Sequence, residues 1–248
     1  MNSQHIPMSV EEFKLLKHPF GWKCEYFSGA AHLTPREHLV RTQLTLTPQA
    51  VGAKLHVPVD SSLQEQMIAT FFEAFEDSVE FCDWSVDDIR AHARKNITNY
   101  FQGVRGQPHL VSRMAIDPNS QQIVGLALFV ENTQERVELD LLLVKPSHQR
   151  MGIATQMFAS AINSLYADGI EDLRCAYHIC NQSSRAWQHS LGFQEIPDYF
   201  YCRLKAAWYR DEIWRCEQLG MREQLEELRM EKDRWEQLAQ GLEPWKES

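Results

Sequence analysis

A chain of 248 residues carrying 34 acidic against 25 basic side chains, for a net charge of −9, is long enough to bury one good core and too acidic to be a general nucleic-acid binder. Nothing approaches the roughly 18 to 20 consecutive apolar residues that span a bilayer, and the start MNSQHIPMSVEEF has no basic head followed by an apolar run, so the expectation is a cytoplasmic protein without signal peptide or membrane segment. The six cysteines form no CxxC pair and none has histidines at metal-ligand spacing, which excludes a zinc site and a disulfide framework.

In chain order, residues 19–48 alternate aromatic and β-branched residues around Gly29 and Pro35, predicting a hairpin and then a short strand. LHVPV at 55–59 reads as a strand. Asp60, Ser61 or Ser62 then caps a helix with Leu63, Met67, Phe71, Phe72 and Phe75 at helical spacing, and a second helix follows Ser85 to about Phe101. Two strands near 109–116 and 122–130 flank the turn Asp117-Pro118-Asn119-Ser120. VELDLLLV at 137–144 is the next strand. It passes through Pro146 and SHQRMGIA into a helix holding Met157, Phe158, Ala161, Ile162 and Leu165, which Gly169 ends. A strand at 173–179, a short helix at 183–191 broken by Gly192, and a returning strand at 193–204 complete a mixed α/β pattern. From Lys205 to Leu242 the chain lacks proline and is rich in Glu, Arg, Gln, Leu and Trp, predicting one long helix or two broken near Gly220.

The stretch that carries chemistry is Val144 to Thr155, a strand end leading directly into a helix N-terminus. Amide groups there lack intrahelical partners and add to the positive end of the helix dipole, so they bind phosphate readily. Gly152 lets backbone approach an anion, the small Ala154 does similar work, and Arg150 or His148 adds charge. An ordinary helix cap is the alternative for such a turn. Nucleotide-binding loops are not indicated, for want of GxxxxGK[ST] or GxGxxG.

Gln149, Gly152 and Ala154 fit the pattern of Gln or Arg, two residues, Gly, one residue, then Gly or Ala. With the preceding Val-x-Pro strand end, Asn181 after the next strand and the closing Leu191-Gly192-Phe193, the sequence resembles the GNAT superfamily of acetyl-CoA-dependent N-acetyltransferases. The resemblance implies an α/β (α+β) fold with a mixed central sheet flanked by helices at 53–204, an N-terminal hairpin extension at 1–52 and a C-terminal helical extension at 205–248. It also implies acetyl-CoA as co-substrate, held by Leu143, Val144, Gln149, Arg150, Met151, Gly152, Ile153, Ala154, Thr155 and Asn181, with no metal.

Acetyl transfer to an amine needs a proton acceptor and a donor to the leaving thiolate. Glu138 and Asp140 lie two apart in an apolar strand, hence on one face, together with Leu142, and carboxylates there need a reason. Glu138, eleven residues before Gln149, is placed like the base of the family's histone-modifying branch. The alternative is a carboxylate paired with a base such as Arg136. Gln188 stands where many relatives have a general-acid tyrosine, and Tyr199 and Tyr201 are the candidates to replace it, against a purely packing role. Acidic residues from Glu73 to Asp88 suit a cationic acceptor or a solvated helix face. A primary amine of a small molecule is therefore the expected acceptor; protein lysine or N-terminal acetylation and a non-catalytic acyl-CoA sensor are the alternatives. The apolar stripe Leu225, Leu228, Trp235, Leu238 and Leu242 predicts a homodimer through the C-terminal helix, with docking on the chain's own domain as the alternative.

Overall fold

The computed structural model describes residues 4–50 and 56–242. In chain order the elements are β1 (Gln4–Pro7), α1 (Val10–Leu15), β2 (Trp22–Phe27), β3 (Ala30–Pro35), β4 (Leu39–Thr45), β5 (His56–Pro58), α2 (Gln64–Phe75), α3 (Val86–Phe101) and β6 (Gln107–Pro108). They continue with β7 (Arg113–Ile116), β8 (Ile123–Glu131), β9 (Val137–Val144), α4 (Ile153–Ala167), β10 (Asp172–His178), α5 (Gln182–Ser190), β11 (Gln194–Ile196), α6 (Tyr199–Gln218) and α7 (Leu225–Gln240). Leu55, the first residue of the expected strand at 55–59, lies outside the described residues. No helix among them is long and apolar enough to cross a membrane.

The large sheet is mixed, in the order β11-β4-β10-β9-β8-β7-β5, with β6 pairing β8 off that path. β8 runs antiparallel to β7 and β9, whereas β10 is parallel to β9. The chain forms two compact units, one of residues 42–176 and 189–194, the other of 1–41, 177–188 and 195–248.

In the first unit β8 is buried along nearly its whole length, as an apolar run without alternation requires of a strand covered on both faces. Met67, Ile68 and Phe71 of α2 and Ala93, Ile97 and Tyr100 of α3 meet Leu126, Leu128 and Val130 on one face. α4 packs on β7, β8 and β9 with Met157, Phe158, Ala161, Ile162 and Leu165 buried. Each of the larger ones, Met157, Phe158, Ile162 and Leu165, contributes about 1.5–3 kcal/mol through burial. α4 lies close to the sheet because Gly125 has no side chain: a Cβ there would sit 3.0 Å from Met157 Cε and 3.2 Å from the Leu143 carbonyl oxygen. The buried Tyr100 hydroxyl donates to Ser112 Oγ (2.8 Å), which accepts from the Phe129 amide (2.9 Å), so these buried polar groups are paired.

The second unit contains a three-stranded sheet in the order β1-β3-β2. β2 and β3 form the expected hairpin. Phe27 opposes Ala30 across a two-residue turn, and Ser28 and Gly29 have φ of 53° and 76°, the left-handed pair that matches the twist of the strands. β1 and α1, whose N-terminus is a Ser9/Glu12 capping box, were not expected from the sequence. The strand predicted over 193–204 stops at Ile196. Asp198 accepts from the Tyr201 amide at 2.7 Å and caps α6, so the aromatic run Tyr199-Phe200-Tyr201 is helical and the C-terminal helices start at Tyr199. They break at Gly220 (φ 69°). α7 packs on α6, with Trp235 edge-on to Tyr201 at 5.6 Å. Of the apolar stripe that suggested a second copy, Trp235 thus meets α6 of the same chain, while Leu238 is exposed.

Candidate active site

β9 carries the candidate site at both of its ends. Its register with β8 places Glu138 opposite Val130 and Leu139 opposite Phe129, then jumps so that Leu141 opposes Leu128, leaving Asp140 as the extra residue of a β-bulge. The bulge changes which residues share a face. Leu141 and Leu143, and not Leu142 as strict alternation predicts, join the α2/α3 side, while Leu142 opposes Ala127. The bulged carboxylate is also the one that is ion-paired. Arg105 donates from Nε and Nη2 to the two oxygens of Asp140, both at 2.6 Å, and Nη2 also reaches the Asn96 side chain and carbonyl on α3. The partner is Arg105, not Arg136. Glu138 accepts from Asn132 Nδ2 at 2.7 Å through one oxygen, and its other oxygen has no hydrogen-bond partner among the described residues.

On the β10 side, register runs from Arg174 opposite Glu138 to Cys175 opposite Leu139. From the bulge to Val144, β9 has a backbone edge without β10 register partners among the described residues. Such an edge pairs readily with an amide-bearing chain. At its end the Val144 carbonyl accepts from Gln149 Nε2 (3.0 Å), folding the loop back on the strand. Lys145, buried, donates its amide to the Val124 carbonyl and its ammonium to Glu73 of α2 at 2.9–3.0 Å. One acid of the run from Glu73 to Asp88 therefore has a structural partner.

After one 3-10 turn at Pro146–His148, Arg150 (φ 65°) and Gly152 (φ 77°) both take the left-handed conformation, and α4 begins at Ile153. Gly152 is the N-cap and offers no side-chain cap to the first-turn amides. A Cβ at Gly152 would meet only Gln156 Nε2, at 3.9 Å, so glycine is required here by backbone conformation, and the space before the helix is open. Around it Arg150 and Met151 are exposed, Ile153 is buried, and Ala154 is half-buried.

The remaining candidates belong to the second unit. Asn181 Oδ1 accepts from the Ser184 amide at 2.8 Å and so caps α5, while Gln188 is buried. Tyr199 is half-buried and packs its ring edge-on to Phe200. The Tyr201 hydroxyl is buried and donates to Glu195 at 2.5 Å, beside Tyr177 (2.6 Å) and Arg185 (3.1 Å) on the other carboxylate oxygen. Burial works to raise the Glu195 pKa, but hydrogen bonds from both tyrosines and the Arg185 charge outweigh it and hold the carboxyl at about 2. Burial and donation to this carboxylate push both tyrosines well above their ordinary value. Next to them the Lys205 ammonium lies 4.0 Å from the Phe20 ring centroid and within 6 Å of those of Tyr201 and Trp235. Burial, helped by the Arg185 charge and opposed by Glu195 and Glu231, lowers its pKa to about 8. Sequence patterns indicated none of Arg105, Asn96, Glu195 or Lys205, because their contacts form only once the elements that carry them fold together.

A turn with a left-handed glycine and a helix N-terminus without a side-chain cap follows a strand whose last residues have no β10 register partners among the described residues. The acetyltransferase (GNAT) family model matches residues 68–193, half of the chain, covering α2 through the loop before β11. The chain belongs to the GNAT family. Members of this family are generally acyltransferases that bind acyl-CoA, and the β9 edge, the turn and the first turn of α4 fit such a group.

Among solved structures, a GCN5-related N-acetyltransferase from Sphaerobacter thermophilus matches at 11% identity and a TM-score of 0.44 over 64% of this chain and 48% of that one, so the chain spans about half its length. A GNAT-family acetyltransferase from Novosphingobium aromaticivorans matches at 13% and 0.45, over 79% of this chain and 71% of that one. The ribosomal-protein-S18-alanine N-acetyltransferase of Escherichia coli matches at 18% and 0.41, over 57% and 78%. No curated protein matches in sequence.

Proposed function

We propose that this GNAT-family chain transfers an acetyl group from acetyl-CoA to a primary amine, that of a small molecule in preference to a protein. The observation that carries this reading is that a single strand, β9, has Glu138 near one end and the Gly152 turn after the other, with no β10 register partners from Asp140 to Val144 among the described residues. Acetyl-CoA supplies the acyl group as a thioester.

The first-turn amides from Gly152 to Thr155 and the positive end of α4 hold the pyrophosphate, with Gln149 bracing the loop and Arg150 and Met151 flanking it. Leu143 and Val144 present backbone groups to the amides of the pantetheine arm. Glu138, with one oxygen not hydrogen-bonded among the described residues, accepts the proton of the attacking amine directly or through a water. Asp140 is committed to Arg105 and acts as a positioning residue that fixes the bulge beside Glu138. Tyr201 is committed to Glu195 inside the second unit.

Thiol release from acetyl-CoA, screened over polyamines, aminoglycosides, amino acids and lysine or N-terminal peptides, tests the proposal. Release stimulated most by a small amine supports it. Release stimulated only by peptides transfers the reading to protein acetylation. Tight acetyl-CoA binding without stimulation by any amine replaces it with a binding protein.

A further inference from the structure

The second unit holds an open depression of about 510 Å³ between the β2/β3 hairpin, the turn after β3 and the first turns of α6. Its apolar wall is Pro35, Leu204 and Phe200, which is 55% exposed. Its rim carries two opposite charges at adjacent positions, Arg36 and Glu37. Both side chains are exposed, and neither has a hydrogen-bond or ion-pair partner among the described residues. The turn that presents them is held by backbone bonds from the Arg36 amide to the Gly21 carbonyl (2.9 Å) and from the His38 amide to the Arg36 carbonyl (3.0 Å).

Lys23 and His38 also line the depression. Lys23 pairs with Glu25 at 2.8 Å, and His38 Nε2 lies 3.3 Å from Asp198 Oδ2. What remains is one free guanidinium and one free carboxylate beside an exposed ring. A planar guanidinium fork suits a carboxylate, and a carboxylate suits an ammonium. A dianion such as a phosphate monoester would meet Glu37 with like charge, and a plain cation would meet Arg36.

The geometry points to a binding site in this depression for a zwitterionic α-amino acid with an apolar side chain, its carboxylate on Arg36, its ammonium on Glu37 and its side chain against Phe200. This site is separate from the acetyl-transfer reading and stands or falls by binding alone.

Calorimetric titration of the full chain with L-phenylalanine, N-acetyl-L-phenylalanine and L-phenylalaninamide tests it. Phenylalanine is expected to bind, and each blocked analogue to bind roughly 10-fold more weakly or worse. Arg36→Gln should weaken phenylalanine by a similar factor and leave phenylalaninamide unchanged, whereas Glu37→Gln should weaken phenylalanine and leave N-acetylphenylalanine unchanged. Because both side chains are exposed and unpaired, folding should survive, as circular dichroism will verify. No binding of phenylalanine at about 20 mM, far weaker than any specific site of this polarity, or equal affinity in the wild type and both variants, would overturn the assignment.

Discussion

Replacing Glu138 and Asp140 in turn by their amides should damage this protein in opposite ways. In Glu138→Gln the Asn132 side chain can still donate to an amide oxygen at the same place, so stability should change by less than about 1 kcal/mol. The amide cannot accept a proton, and the turnover of acetyl-CoA with a good amine should fall by roughly 100-fold, about 2.7 kcal/mol in the barrier. In Asp140→Asn the two 2.6 Å charge-assisted bonds from Arg105 are reduced to one neutral acceptor, and a side chain only 10% exposed loses the charge that balances its partner. Removing one member of a buried pair costs about 3–5 kcal/mol; since Arg105 is 31% exposed and water reaches it, about 2–3 kcal/mol is expected here. That corresponds to a fall in Tm of about 5–10 °C, with only a secondary loss of rate. Thiol-release kinetics and thermal melts on the same preparations separate the two effects. If Asp140→Asn melts like the wild type and loses 100-fold in turnover while Glu138→Gln is silent, the roles given to the two carboxylates are exchanged and the argument from Arg105 is wrong.

Gly152→Ala forces a side chain into φ 77° without any crowding, so it should cost about 1–2 kcal/mol of stability, whereas Gly152→Glu in a folded protein should abolish acetyl-CoA binding by calorimetry. The Lys205 pKa is lowered from its ordinary 10.5 to about 8, so the unfolded chain binds the proton more tightly between those values and stability must rise with pH across that window. The full difference is on the order of 3 kcal/mol, and Lys205→Met should remove the rise and melt higher at neutral pH, as chemical denaturation at several pH values will test. Glu195 behaves in the opposite sense: its pKa is depressed from 4.5 to about 2, so its contribution is complete above 4.5 and lost as pH falls towards 2. Glu195→Gln should flatten the acid limb of the stability curve, and an unchanged limb would mean that the Tyr177 and Tyr201 bonds do not hold in solution.

The features legible in the sequence are those whose signal is local. The turn from Gln149 to Thr155 could be read directly because a strand end, a left-handed glycine and a helix start are neighbours in the chain. The β2/β3 hairpin and the helices α2, α3 and α4 followed from period and turn chemistry for the same reason. Alternation placed Glu138 and Asp140 on one face, but it could not find the bulge, because an extra residue in a strand is defined only against its partner β8. Nor could it tell which carboxylate is committed: Arg105 lies 35 residues before Asp140 in the chain and meets it only when α3 packs on the sheet. Likewise, the aromatic run after Asp198 had strand-like composition, and the Asp198 cap together with the packing of Tyr201 against Glu195 and Trp235 made it helical. Short-range stereochemistry was thus sufficient for this turn, whereas the partners of Glu138 and Asp140 were decided by contacts that exist only in the folded chain.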